Sequence, residues 1–497
     1  MARSRGPRRP SGAALLLCLA GCAPGLPGPG GGAPAASSAP HVPWTPPAPS
    51  AAPAEPAAAA AAEQVPPDIA QRLQQLTASD VVDLALRNNP TTVQAWANAR
   101  AAAAAYGASR SAYYPAVDLG ASVTRVKTAP TSGRTAVTQT IYGPSATLTW
   151  LLLDFGGRGG AIEAARQVLL SADWTHNAAI NDVVLQALVA FYDYVASGAL
   201  VDAQRASVKD AEVNLEATGA RRQVGTATIA DVLQARTALS QARLALETTE
   251  GSRQTARGAL ALALGVPANL PYDVDSVTAP VPVAAVADSV DGLITRAVRD
   301  RPDLAAARAD AAGAQARIRQ LRGARLPSIT ATGDGGFTYI ANRSGGGSNY
   351  TVGLGLSVPL FNGFGREYSQ QQAEFLADAA RARERSLEQQ VTYQVFSSYY
   401  SLQTATRSVQ TAADLMASAS QSTEVALARY KAGVGTVLDL LAAQSALATA
   451  RAQVVQARLS WQTSLAQLAH DAGALDPKGR ADVRLAPDTL MNENPPR

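Results

Sequence analysis

The sequence predicts a mainly α-helical chain that also carries strands for a membrane β-barrel, laid out as a tandem repeat. Three observations predict it. The first is a duplication. RRQVGTATIADVLQARTALSQAR (Arg221–Arg243) and YKAGVGTVLDLLAAQSALATARAQ (Tyr430–Gln453) share one layout. Gly225 pairs with Gly433, Thr228 with Thr436, Asp231 with Asp439 and Leu239 with Leu447, all at one offset (433 − 225 = 208; 447 − 239 = 208). A fixed offset held over such a stretch marks an internal repeat. The second is helix length. No proline falls between about Gly160 and Gln223 or between about Glu367 and Lys431, and Val184, Leu188, Phe191 and Val195 recur at helical spacing. A helix of ~64 residues is a rod of ~95 Å, too long for a compact globule, so it must pack along similar rods. The third is a pair of strand-like segments in each half, each about long enough to cross a bilayer when tilted.

The elements follow in chain order. Arg3, Arg5, Arg8 and Arg9 precede a short apolar run, Ala13–Ala20, too short to span a bilayer permanently. Residues 1–21 therefore read as a signal peptide. Leu19-Ala20-Gly21-Cys22 resembles a bacterial lipobox, which makes Cys22 the lipidated (palmitate-bearing) first residue of the mature chain. Acyl chains there would anchor the N-terminus firmly. Ala23 stands where Gram-negative lipoproteins kept at the inner membrane carry Asp, which favours the outer membrane. Cys18 lies in the removed segment, so the mature chain has no thiol pair. Residues 22–67 are rich in Pro, Ala, Gly and Ser and read as a flexible tether.

Two repeats follow, 68–272 and 273–473, with a tail over 474–497. Each opens with a helix running to a proline: VVDLALRNNP…YYP to Pro115 and LITRAVRDRP…RLP to Pro327, where Pro90 matches Pro302 (302 − 90 = 212). Strands are expected over Ala116–Val126 and Gln139–Leu153, then Ser328–Ile340 and Tyr350–Leu360, with NRSGGGSN as the loop of the second pair. In the first strand Val117, Leu119, Ala121 and Val123 share a side. Four strands cannot close a pore-sized barrel, so the chain must oligomerise. The pairs end in TWLLLDFGGRGG and SVPLFNGFGREY. Asp154, Gly157 and Arg158 match Asn362, Gly365 and Arg366. These are strand-to-helix junctions, where Asp or Asn caps the coming helix and glycine lets the backbone turn. Gly-x-x-Thr-x-x-Asp is then the hairpin tip of each long helix. The glycine ends one helix, the threonine caps the next, and the aspartate sits in its first turn.

Net charge is +4 and charged residues are 16% of the chain, so no strong field attracts nucleic acid. His41, His176 and His470 are far apart, and HExxH, GxSxG and P-loop motifs are absent. Those enzyme classes are excluded, and nothing calls for a metal or cofactor. His176 and His470 read as surface or packing residues.

Lipobox, tandem halves, paired strands, the two junction motifs and RYxxGxxTxxDLLxAQ together resemble the outer membrane efflux protein (TolC-like) family over most of the mature chain. The resemblance implies a homotrimer with one twelve-stranded barrel and a long α-helical periplasmic tunnel. It implies a periplasmic adaptor as partner, and beyond it an inner-membrane RND pump or an ABC exporter. It implies a passive exit duct for drug or metal efflux, with type I protein secretion as the alternative, and no catalysis. By the same resemblance Asp439, with Asp231 as its counterpart, forms the periplasmic gate. Val224, Gly225, Thr226 and Thr228, with Gly433, Val434 and Thr436, form the tips that dock the adaptor. Ala442 and Gly435 stand where the family carries a second gate Asp and a bridging Arg.

Overall fold

The computed structural model describes residues 37, 39–45, 76–128, 137–268, 274, 288–341 and 345–476. The expected signal peptide, Cys22 and most of the tail lie outside them.

Each repeat opens with two helices, where the sequence suggested one. In the first, α1 (Ala78–Asn88) and α2 (Pro90–Ser109) are separated at Asn89. The residue before a proline is pushed out of the helical region, and Pro90 then starts the next helix at a position where a missing N–H costs nothing. Asn89 is extended and its side chain accepts from Thr91 N–H at 2.9 Å. Thr77 and Asp80 close a capping box at the start of α1. The second repeat breaks in the same way at Arg301, between α5 (Val290–Asp300) and α6 (Pro302–Gly323).

The strands are β1 (Ala116–Thr128), β2 (Val137–Leu153), β3 (Ser328–Ile340) and β4 (Gly346–Ser357). β1 and β2 run slightly longer than expected. β4 is shifted: Gly346–Asn349, expected in a loop, are strand, and the strand stops at Ser357 before Pro359 can interrupt its ladder. The four make one antiparallel sheet in the order β1-β2-β3-β4. Over its central rows the register sorts the side chains by polarity, because successive residues alternate between faces. One face carries Val117, Leu119, Ala121 and Val123 of β1, then Tyr142, Pro144, Ala146, Leu148 and Trp150 of β2. Ala331, Phe337 and Tyr339 of β3 and Tyr350, Val352, Leu354 and Leu356 of β4 continue it. The other face carries Asp118, Ser122 and Thr124, Ser145, Thr147 and Thr149, Thr332, Asp334 and Thr338, and Asn349 and Thr351. Leu119 is 81% exposed and Val352 81%. An apolar face left open, beside a polar face and two unpaired edges, is the pattern of a barrel segment lacking its other strands.

The long helices are α3 (Gly157–Gln223) and α7 (Gly365–Lys431), each of 67 residues or ~100 Å, returning through α4 (Ile229–Leu264) and α8 (Val437–Asp471). An 18-residue window of α3 reaches mean hydropathy 1.5, enough by composition to cross a membrane. In the fold α3 is the spine, packed by α1, α2, α4, α6 and α8. Its Ile180–Phe191 stretch joins Leu84, Leu260, Leu264, Val391, Val395, Leu402, Trp461 and Leu468 in the main core, which draws on both repeats. The α3–α6 contact is close enough to require glycine. A Cβ on Gly160 would lie 2.4 Å from Gln320 N, and one on Gly323 2.2 Å from Gly157 N.

The segment expected to be a free tether is docked in part. Ser37 and residues 39–45 lie against α2 and α3. Trp44 N–H donates to Asn177 Oδ1 and Asn177 Nδ2 donates to Trp44 O, both at 2.6 Å. Trp44 meets the Trp174 ring edge-on at 5.2 Å, and Trp96 Nε1 donates to Ser37 O at 2.8 Å. Composition suggested disorder, but a single Trp supplies enough apolar area to hold a short strap.

Candidate functional site

The hairpin tips have nearly identical backbones. Gly225 and Gly433 both sit at φ +79, a left-handed conformation that glycine adopts without strain. Val224 and Ala432 close the preceding helices. Gly225 N–H donates to Arg222 O at 3.0 Å and Thr226 N–H to Arg221 O at 2.9 Å. At the second tip Gly433 N–H donates to Tyr430 O and Val434 N–H to Arg429 O, both at 3.1 Å.

Thr228 and Thr436 then start the return helices through full capping boxes. Thr228 Oγ1 accepts from Asp231 N–H at 3.2 Å, and Asp231 Oδ2 accepts from Thr228 N–H at 2.8 Å. Thr436 Oγ1 accepts from Asp439 N–H at 3.1 Å, and Asp439 Oδ2 accepts from Thr436 N–H at 3.2 Å. Asp439 is exposed and Asp231 half-buried. Hydrogen bonds from Thr436, helped by the Arg429 charge, hold the Asp439 carboxyl below the usual carboxylate range. It is therefore charged at neutral pH. It borders a groove of about 760 Å³ together with Gln421, Ser422, Val425, Arg429 and Gly435.

No hydrogen bond joins Asp231 to Asp439 among the described residues. The tips are tied to each other by residues that sequence reading passed over. Arg221 stacks over the Tyr430 ring at 4.3 Å and donates to Lys431 O at 3.0 Å. The Tyr430 hydroxyl lies 3.3 Å from Thr218 Oγ1. Further up, Arg451 pairs with Asp210 at 2.9 Å. A tyrosine next to the last residue of a long helix was the available signal, and it reads equally well as ordinary packing.

The two strand-to-helix junctions are built around one side-chain cap each. The Asp154 carboxylate accepts from Arg158 N–H, capping α3 from outside the helix. Arg158 donates to Leu151 O at 2.7 Å and Ala112 O at 2.9 Å, and lies over the Tyr113 ring at 4.6 Å. It rivets the end of β2 to the 3₁₀ turn, Arg110–Tyr113, that follows α2. Phe155 at φ 50 and Gly156 at φ 99 turn the chain. In the second junction Asn362 Oδ1 accepts from Arg366 N–H at 3.4 Å, and Gly363 and Phe364 take the left-handed turn. Gly157 and Gly365 begin the helices. Arg366 makes no comparable side-chain bond among the described residues.

Both helix histidines do more than fill space. His176 is fully buried. Its Nε2 donates to Pro40 O at 2.8 Å and its Nδ1 meets Ser37 Oγ at 3.2 Å. Burial lowers its pKa, which suits a neutral ring holding the strap. His470 lies between Asp182 at 2.9 Å and Asp471 at 3.1 Å.

A family model for the outer membrane efflux protein matches residues 81–266 and 293–474. The chain belongs to the outer membrane efflux protein family. Among the relatives, Protein CyaE of Bordetella pertussis is 31% identical over 437 residues, covering 84% of this chain and 87% of that protein. The toluene efflux pump outer membrane protein TtgF of Pseudomonas putida is 27% identical over 398 residues, covering 78% and 81%. The crystal structure of the outer membrane protein VceC of Vibrio cholerae shares the fold with a TM-score of 0.70 at 21% identity, covering 81% and 97%. This efflux protein is thus an outer membrane channel of the TolC type, in the envelope of a Gram-negative bacterium. Its open sheet belongs to the barrel and its long hairpins to the tunnel.

Proposed function

We propose that the chain is the exit duct of a tripartite efflux system. Three copies close a twelve-stranded barrel, and their helices form one tunnel across the periplasm. The carrying observation is the sheet: four strands with two free edges and an exposed apolar face. Residues 68–272 and 273–473 are its two repeats. Cys22, acylated, ties each copy to the membrane above the docked strap. Efflux in place of secretion is supported by relatives that are efflux pump proteins by name.

At the far end the tips meet a periplasmic adaptor through Val224, Gly225, Thr226, Gly433 and Val434, and the adaptor links them to an inner-membrane pump. Asp439 of each copy contributes to a ring of charge that attracts cations and helps keep the tips closed, with Asp231 in support. The geometry shapes the test, because Asp439 also caps its own helix. Asp439→Asn removes the charge while keeping an oxygen for Thr436 N–H. Thr436→Ala loosens the cap and leaves the charge. In planar bilayers Asp439→Asn should raise single-channel conductance and weaken divalent-cation block, and Thr436→Ala should not weaken that block. Equal block in wild type and Asp439→Asn would remove the gate assignment.

A further inference from the structure

Charge is sparse on the sheet and sorted by height. The four strands hold four charged residues: Asp118, Arg125, Lys127 and Asp334. Both acids lie towards the helix-bearing end, in one register row through Thr147, on the polar face. Both bases lie at the opposite end of β1. They share a side with Val117, Leu119, Ala121 and Val123, since side chains two apart on a strand point the same way. The lipid-facing stripe of β1 is therefore apolar until Val123 and then basic.

The height of that change is set by aromatics. Tyr142 lies across from Val123 and stacks on Tyr339 at 5.6 Å. Trp150 marks the other end of the same face. Eight residues separate Trp150 from Tyr142, ~27 Å along the strand and ~21 Å along the membrane normal at a ~40° tilt. This is of the order of the apolar band between the aromatic girdles of outer-membrane barrels. The helices mark the periplasmic side, so Arg125 and Lys127 sit just outside the outer girdle, at headgroup height. Across from them stand Thr140 and Thr138, hydroxyl donors without charge. Neither base has an acidic partner among the described residues. Nor can a neighbouring copy supply one by pairing β4 against the free edge of β1, because β4 contains no acid. Cations on a lipid-facing surface are costly at mid-membrane and tolerated only near the interface, where anionic groups can meet them.

We propose that Arg125 and Lys127 bind the phosphate-bearing headgroup of the glycolipid in the outer leaflet. Arg125 supplies a bidentate fork for phosphate oxygens, Lys127 a second charge ~7 Å along the strand, and Thr140 a hydroxyl. The contact fixes the height of the barrel against the outer leaflet. It rests on the barrel reading given above.

The test uses the full-length channel in zwitterionic vesicles containing lipid A in its phosphorylated or its phosphatase-treated form. Conductance reports barrel formation, and native mass spectrometry after mild detergent extraction reports retained glycolipid. Wild type should retain phosphorylated lipid A at least tenfold better than the treated form. In R125Q/K127Q the preference should fall to within twofold while conductance persists. A conducting wild-type channel with no preference, or an undiminished preference in the double variant, overturns the inference and leaves the channel standing. A wild-type protein that never conducts removes the barrel and this site with it. Should the double variant fail to insert, K127Q decides: an intermediate preference supports the site, and a wild-type preference counts against it.

Discussion

Replacing His470 with Gln should destabilise the chain by ~3 kcal/mol near pH 6, and the loss should vanish as pH rises. His470 lies in the last turn of α8, mostly buried. Burial lowers its pKa, but hydrogen bonds and charge from Asp182 on α3 and the adjacent Asp471 outweigh it and raise the pKa from 6.5 to about 9. At ~1.4 kcal/mol per tenfold change in acidity, the rise amounts to ~3 kcal/mol. A group with a raised folded pKa stabilises fully below its unfolded value. That contribution is present below pH 6.5 and is lost as pH climbs through 9. Gln offers a hydrogen bond but no charge. The assay is the guanidinium midpoint of helix loss, by circular dichroism in detergent, for wild type and His470→Gln from pH 6 to 10. The two midpoints should differ most at pH 6 and converge by pH 10. A gap that stays constant across the range would refute the reasoning, because a purely steric defect does not titrate.

Three further outcomes are expected. Gly160→Ala should lower stability by ~2 kcal/mol or more in the same assay, since its new Cβ meets the Gln320 backbone. Gly159→Ala, with only the Tyr113 hydroxyl at 3.9 Å, should behave as wild type. Asn177→Ala removes both bonds to the Trp44 backbone. Chymotrypsin should then cut at Trp44 at least tenfold faster, and an unchanged rate would mean that the strap is held elsewhere. Thr228→Ala and Thr436→Ala should each cost ~1 kcal/mol in the same assay through loss of a cap.

The duplicated plan was legible because its signals are local. Prolines at 90, 115, 302 and 327, glycines at both tips and the Thr–Asp spacing each fix a backbone event within a few residues. The long helices were legible from long runs without proline and from apolar residues at helical spacing. Breaks at Asn89 and Arg301 were missed because apolar periodicity continues across them, and a proline can start a helix as well as end one. Gly346–Asn349 looked like a loop, yet opposite Phe337 and Tyr339 the ladder continues, since pairing partners outvote local propensity. The strap was missed because its seat, Trp96, Trp174, His176 and Asn177, lies on helices far away in sequence. For the same reason His470 looked bland: its partner Asp182 is 288 positions away.

The two repeats share a plan but not a chemistry, and the difference bears on where the channel gives. One bond is common to both. Asn89 Nδ2 donates to Ala263 O at 3.2 Å, and Arg301 Nη1 donates to Asp471 O at 3.3 Å, each reaching from before the proline helix to the end of a return helix. Around it, the first repeat is neutral and the second carries Arg301, Asp303, His470 and Asp471. The helix seams diverge further. Within one chain, α3 and α6 close backbone to backbone through Gly160 and Gly323. In the proposed trimer the corresponding seam joins α7 of one copy to α2 of the next. There the repeat offsets put Tyr368 (160 + 208 = 368) where Gly160 stood and Ser111 (323 − 212 = 111) where Gly323 stood. Those side chains forbid the same approach. We propose that a trimer built in this way is threefold in its mechanics, with tight seams inside each chain and wider ones between chains. The tips point the same way, since Arg221, Thr218 and Tyr430 tie the two hairpins of one chain together. Opening should therefore move whole chains apart at their shared seams and leave each chain's own pair of hairpins intact.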